Sequence, residues 1–421
     1  MIRIAPIRYA NATRFAAPTP TDSITPEIHT AVRISPQPVS RLEAVMGPQP
    51  HEPVQGEDCL FLSVTTPAID DGRRPVLVFI HGGGFQTGGG VLDWYDGEAL
   101  TREGDLVVVS INYRVGALSF LIQEGISEGN LGLLDQIVAL QWVRDHIAHF
   151  GGDPDSITLA GQSAGGYSID SLATVPGTAE LIKRAIIISA PIKARRPVRS
   201  DTVEDAIVFS AKLGTDPRTA SIEQIIQAQT ATLAAHRERN GFESVPFLPV
   251  VDAAPFPPAE PEGTQPPPAS AIDLLVGWNR DDSSAFGVPA DILPAVVDRR
   301  FAAVWEQRAQ AYEAAGGTVT GYRLDWRPEG SPFGSTHCVE LPLVLGNAEA
   351  WEGSPMLGTE EWATVDHLGK QLRQIWIEFI RSGRAATPAA TGERLPIEFA
   401  VGVDQLVTLR VAEEAFVGRE S

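Results

Sequence analysis

Ile157-Thr158-Leu159-Ala160-Gly161-Gln162-Ser163-Ala164-Gly165-Gly166 reads as a buried strand that runs straight into a glycine-flanked serine and then a helix of small residues. A serine on so sharp a strand-to-helix turn has its hydroxyl pushed out of the sheet top. Side chains two residues to either side would collide there, so glycine occupies both places. The following helix aims its positive N-terminus at the same spot, where a developing negative charge is stabilised. The segment therefore predicts a nucleophilic Ser163 and a sheet whose strands alternate with helices.

Working outward, Pro75–Ile80, Leu106–Ile111, Ala185–Ser189 and Ile272–Gly277 are short apolar runs rich in Val, Ile and Leu, and Thr318–Leu324 is a further strand candidate. Such runs suit strands buried on both faces of a parallel sheet. Helices are expected over Leu131–Phe150, Ser221–Arg237, Asp298–Ala315 and Thr359–Ser382. In the last, Thr359 is the expected N-cap, Glu360 and Glu361 fill the first turn, and Gly383 ends it. Residues 1–55 read as a Pro-rich lead-in. Seven prolines in the fourteen positions 255–268 mark a surface loop. The expectation is an α/β fold in one domain spanning 1–421: a doubly wound, mostly parallel sheet with helices on both faces.

His81-Gly82-Gly83-Gly84-Phe85 follows the strand Pro75–Ile80 directly. Consecutive glycines leave bare backbone N–H groups that can crowd a carbonyl oxygen, so Gly83, Gly84 and Ala164 are the candidate oxyanion donors. A serine needs a base. In the fold that carries this elbow the chain order is serine, acid, histidine. Of the eight histidines, only His337 and His367 follow the strand Ile272–Gly277. His367 lies off the apolar stripe of its helix, whereas His337 sits in the loop Ser331–Cys338, so His337 is the expected base. The acid is Asp281 or Asp282, adjacent at the end of that strand; chain order does not choose between them.

The 421 residues carry 33 basic and 53 acidic side chains, a formal net charge of −20. Phosphate backbones and anionic membranes would repel such a chain, so neither nucleic acid nor membrane is an expected partner. Taken globally, this acidity favours neutral or cationic substrates. The N-terminus lacks the apolar run of a secretory leader. Cys59 and Cys338 are the only cysteines. They show no metal-ligand spacing, and read as two reduced thiols of a cytoplasmic protein. No metal and no cofactor motif is present.

With these motifs quoted, the chain resembles the type-B carboxylesterases, which include bacterial p-nitrobenzyl esterases and cholinesterases. The matching stretches are Glu57–Leu60, His81–Phe85, Asn112–Gly116, Gly129–Gln136, Phe150–Pro154, Gly161–Gly166, Gly277–Phe286 and Gly334–Pro342. The resemblance implies an α/β-hydrolase fold and hydrolysis of small-molecule carboxylic esters by a Ser-acid-His triad; carbamate or amide hydrolysis is the alternative, and a non-catalytic binding protein a remoter one. The family acid follows Gly-x-Asn-x-Asp, which selects Asp282, with Asp281 in reserve, although the family usually has glutamate there. The resemblance also implies ion pairs Arg14–Glu57 and Arg114–Asp153, a reduced cap or insert over residues 192–270, and a site more open than in longer members. Phe85 and Trp278 are the pocket candidates preferred over Trp94, Phe286 and Phe333.

Overall fold

The computed structural model describes all residues except 28–32, 194, 242–243, 258–264, 386–399 and 402–421. Most of the Pro-rich loop, residues 258–264, thus lies outside the described residues.

Among the described residues the central sheet has nine strands. They are β1 (Ile2–Arg8), β2 (Phe61–Thr66), β3 (Arg74–Ile80), β4 (Val107–Ile111), β5 (Gly152–Gln162), β6 (Arg184–Ile188), β7 (Asp273–Asn279), β8 (Val319–Leu324) and β9 (Ala400–Val401). Their spatial order is β1-β2-β4-β3-β5-β6-β7-β8-β9. Every neighbouring pair from β4 to β8 is parallel. The flanking pairs β1·β2, β2·β4 and β8·β9 are antiparallel. The parallel strands are those the apolar runs predict.

Period-two alternation explains why these runs are apolar throughout. Val76, Val78 and Ile80 of β3 enter the core on one face, and Leu77 and Phe79 the core on the other. Helices cover both faces, so Val76–Ile80, Val107–Ile111, Ile157–Gln162 and Arg184–Ile188 are buried at every position. Cys59 belongs to one core and Cys338 to the other, and both are free thiols.

The lead-in is more structured than its sequence suggests. Residues 2–8 form β1, whose register shifts between Ile4 and Ile7 around Pro6. A proline cannot donate to a ladder, and an edge strand with a bulge accommodates it.

The principal helices are α1 (Glu98–Gly104), α2 (Leu131–His146), α3 (Ala164–Leu172), α4 (Arg199–Leu213), α5 (Ile222–Asn240), α6 (Ala303–Ala314), α7 (Glu340–Leu345) and α8 (Trp362–Ser382). Beyond His146 a 3₁₀ turn continues to Phe150, and a π turn over Asp298–Ala302 precedes α6. Ser221 caps α5 through its hydroxyl, accepting from Gln224 N.

Thr359 does not cap α8. Its hydroxyl and its N–H both donate to Glu329 O, at 3.2 and 2.8 Å, and the helix starts at Trp362 after Glu361. Glu360 and Glu361 therefore precede the first turn. Gly383 does end α8, in a left-handed conformation.

Candidate active site

Every chemistry-bearing segment leaves the carboxyl end of a parallel strand, where open α/β sheets place their ligands. The glycine loop follows β3, Ser163 follows β5, Asp282 follows β7 and His337 lies in the loop after β8.

Ser163 has φ 55° and ψ −119°, a strained conformation for a residue with a side chain. Its N–H donates to Ile188 O at 2.9 Å, and its carbonyl accepts from Tyr167 N at 2.9 Å. The flanking glycines are required by close approach. A Cβ on Gly161 would lie 2.6 Å from the Gly165 carbonyl carbon, and one on Gly165 would lie 2.0 Å from Ile80 O.

His337 and Asp282 are buried together, 1% and 0% exposed. His337 Nδ1 lies 2.5 Å from Asp282 Oδ1. Asp282 Oδ2 accepts from Asn279 N at 3.0 Å, which fixes the carboxylate from its far side. A carboxylate only accepts, so Nδ1 carries the proton and Nε2 presents a lone pair. That lone pair meets Gln162 Nε2 at 3.1 Å. Ser163 Oγ itself is not hydrogen-bonded to the imidazole. Such contacts are often open before substrate arrives and close in the complex.

Asp281 faces elsewhere. Arg327 grips it at 2.8 and 3.0 Å, and Ser335 N donates to it at 3.0 Å.

A second buried carboxyl adjoins the pair. Glu340 accepts from Asn279 Nδ2, which also donates to Thr336 O at 2.7 Å. Burial, reinforced by the Asp282 charge, pushes Glu340 above the usual carboxylate range. Gln162, Asn279 and Glu340 were not singled out as site residues by sequence reasoning, although each lies inside a quoted motif.

Gly83 and Gly84 adopt positive φ, 115° and 63°. No acceptor among the described residues takes the N–H of Gly83, Gly84 or Ala164. His81, which opens the loop, is stacked on Tyr113 with centroids 4.2 Å apart. Burial pushes it down to about 4, so its imidazole is neutral.

A cavity of about 470 Å³ opens over Ser163. Phe85 and Phe286 line it, along with Gly83, Gly84 and Ala164. Trp278 does not; it is 5% exposed and packed in the core. Trp94 stacks on Trp351, with centroids 5.5 Å apart. Asn240, Ser244, Val245 and Leu248, from the 192–270 region, complete one wall.

Of the two expected ion pairs, Arg14–Glu57 is present, with Arg14 Nε 2.8 Å from Glu57 Oε2. Arg114 instead pairs with Asp135 of α2, at 2.6 and 2.8 Å, and both are buried. Asp153 lies at the surface, where Arg73 takes it at 2.7 Å. A second buried network, not expected, joins Asp170 of α3 to Arg308 at 2.7 Å, Arg196 at 2.5 Å and Tyr312 at 3.0 Å.

No helix among the described residues is long and apolar enough to cross a membrane. A carboxylesterase family model matches residues 5–292. A probable N-octanoylanthranilate hydrolase of Rhodococcus erythropolis is 39% identical, over 91% of this chain and 89% of its own. The para-nitrobenzyl esterase of Bacillus subtilis is 32% identical, over 80% and 76%. A solved structure of a thermophilic PNB esterase superposes with TM-score 0.76 at 29% identity, covering 92% of this chain and 88% of that one.

Proposed function

The chain belongs to the carboxylesterase family and is a carboxylic-ester hydrolase, and we propose that Ser163, His337 and Asp282 carry its chemistry within one α/β-hydrolase domain. The observation that carries this assignment is the buried 2.5 Å contact between His337 Nδ1 and Asp282 Oδ1, beside a strained serine in a cavity.

His337 Nε2 takes the Ser163 proton as Oγ attacks the ester carbonyl. The N–H groups of Gly83, Gly84 and Ala164 receive the oxyanion, where each donor is worth roughly 3–4 kcal/mol. Asp282 holds the imidazole in the working tautomer and stabilises its charged form. His337 then gives the proton to the departing alcohol oxygen. Water, deprotonated by His337, attacks the acyl-enzyme and releases the acid. His337 must move from the Gln162 amide to the Ser163 hydroxyl for the first step. We assign the enzyme to the cytoplasm, since both thiols are buried and unpaired.

A second reading draws on the relative named for an N-acyl substrate: the same residues would cleave an acyl amide. The test is hydrolysis of p-nitrophenyl acetate to octanoate, beside octanoyl p-nitroanilide, by the wild type and Ser163→Ala. Ester cleavage that falls by several orders of magnitude in the variant is expected. Equal rates in both would remove Ser163 as nucleophile, and anilide cleavage faster than ester would favour the amide reading.

A further inference from the structure

The cavity over Ser163 has a charge opposite to that of the chain. Its described lining contains Arg41, Lys193, Arg299 and Arg300 and no acidic residue, in a protein of net charge −20. Global repulsion of anions therefore does not extend to the site, because a cleft focuses its local charges.

Arg41 is the most closely placed of the four. Its Nη2 lies 3.4 Å from the point where a Cβ on Gly84 would stand, so the guanidinium abuts the oxyanion loop. It also lies over the Phe286 ring at 5.6 Å, and the Phe286 ring is 5.1 Å from that of His337. Arg300 lies over the same ring at 5.5 Å. Neither Arg41 nor Lys193 makes an ion pair within 4 Å among the described residues, although the Asp201 charge is felt at Lys193. Both residues are solvent-exposed and line the cavity wall. Partial desolvation at the cavity wall, with the charges of Arg237 and Arg300, pushes Arg41 down to about 10; partial desolvation and Arg300 push Lys193 down, with Asp201 opposing. These cations repel one another, and a bound anion would relieve that. Leu42, Phe85, Leu248 and Val304 make much of the remaining wall apolar.

We propose that the substrate carries a carboxylate on its leaving group, held by Arg41 with Lys193 and Arg300, and an apolar acyl chain. The inference rests on the esterase reading. It places the anion on the leaving-group side because Phe286, which both guanidiniums cover, adjoins His337, the donor to the leaving oxygen. Arginine suits this role through paired N–H···O bonds to a planar carboxylate. The chemistry balances as ordinary hydrolysis: the acyl C–O bond breaks, the leaving oxygen takes the His337 proton, and water supplies the hydroxyl of the released acid.

The test compares kcat/KM for phenyl octanoate, the isomeric (octanoyloxy)benzoates, and phenyl hydrogen suberate, which carries its charge on the acyl side. The expected result is at least a tenfold preference for one of the benzoates over phenyl octanoate. That preference weakens with added salt and falls at least tenfold in Arg41→Met and severalfold in Lys193→Met. The wild-type ratio needs no variant to fold. Equal kcat/KM for the benzoates and phenyl octanoate, a ratio untouched by both substitutions, or a preference for the suberate would each overturn the proposal. Loss of the esterase reading gives a different result: no hydrolysis of any ester, or rates that Ser163→Ala does not change.

Discussion

Asp281 and Asp282 are consecutive in the chain, yet their carboxylates serve different partners. Asp282 Oδ1 lies 2.5 Å from His337 Nδ1, whereas Asp281 is clamped by Arg327 and by Ser335 N. Asp282→Asn keeps the shape but offers Nδ1 an amide that can stabilise the wrong tautomer. It should lower kcat by about 10⁴-fold, the scale seen when a triad aspartate is amidated. Asp281→Asn should reduce kcat less than about tenfold and act through the histidine loop it tethers. Steady-state kinetics of the two variants decides, and a larger loss at Asp281 would reverse the assignment.

The partner expected for Arg114, Asp153, and the partner it takes, Asp135, differ in burial, and so in what their loss should cost. Asp135 is fully buried against Arg114. Asp135→Asn would leave a buried guanidinium uncompensated, at a cost of about 3–5 kcal/mol. Asp153 pairs at the surface with Arg73, whose side chain is 64% exposed. Asp153→Asn should cost less than about 1 kcal/mol. Urea unfolding of the two variants reads the difference directly; similar losses would contradict the pairing.

Glu340 offers a pH dependence with a definite sign. Its carboxyl is raised above the ordinary range, by burial first and then by Asp282. A raised group holds its proton more tightly in the folded state than in the unfolded chain. Stability from that proton is complete at low pH and is lost as pH rises through the folded value. Glu340→Gln removes this dependence. Its melting temperature relative to wild type should therefore climb between pH 5 and pH 8. A gap that stays constant over that range would show that Glu340 does not titrate in this way.

Asp170 carries the opposite sign. Burial alone would push it up, but the charges of Arg308 and Arg196 outweigh that and hold it below the usual range. Its contribution is present above the unfolded value and is lost as pH falls through the folded one. Asp170→Asn should destabilise by about 3–5 kcal/mol at pH 7. The difference from wild type should narrow in acid, as followed by thermal unfolding down the pH scale.

The runs Pro75–Ile80, Leu106–Ile111, Ile157–Ala160, Ala185–Ser189 and Ile272–Gly277 announced their strands because a strand covered on both faces must be apolar at every position. The edge strands β1 and β9 were missed, and so was β2, a buried strand whose Ser63, Thr65 and Thr66 break the apolar run. An edge strand pairs on one side only and does not need that pattern, and in β1 a proline interrupts it. Thr359 misled for a related reason: a good capping residue lay one turn early, and a long-range acceptor, Glu329 O, claimed its hydroxyl instead.

The order and type of the proposed catalytic segments were determined by sequence alone: the glycine-flanked Ser163, the triple-glycine loop, an acid after β7 and His337 in a later loop. These are local demands, for a sharp turn, bare N–H groups or a loop position, and local demands leave local signatures. Tertiary structure decided what each side chain faces. It turned Asp282 rather than Asp281 to His337, joined Arg114 to Asp135 and sent Trp278 into the core. It also gathered Arg41, Lys193 and Arg300 from distant parts of the chain around one serine. Partners chosen across the fold depend on how the helices and loops pack on the sheet, and that distance is written at no single position.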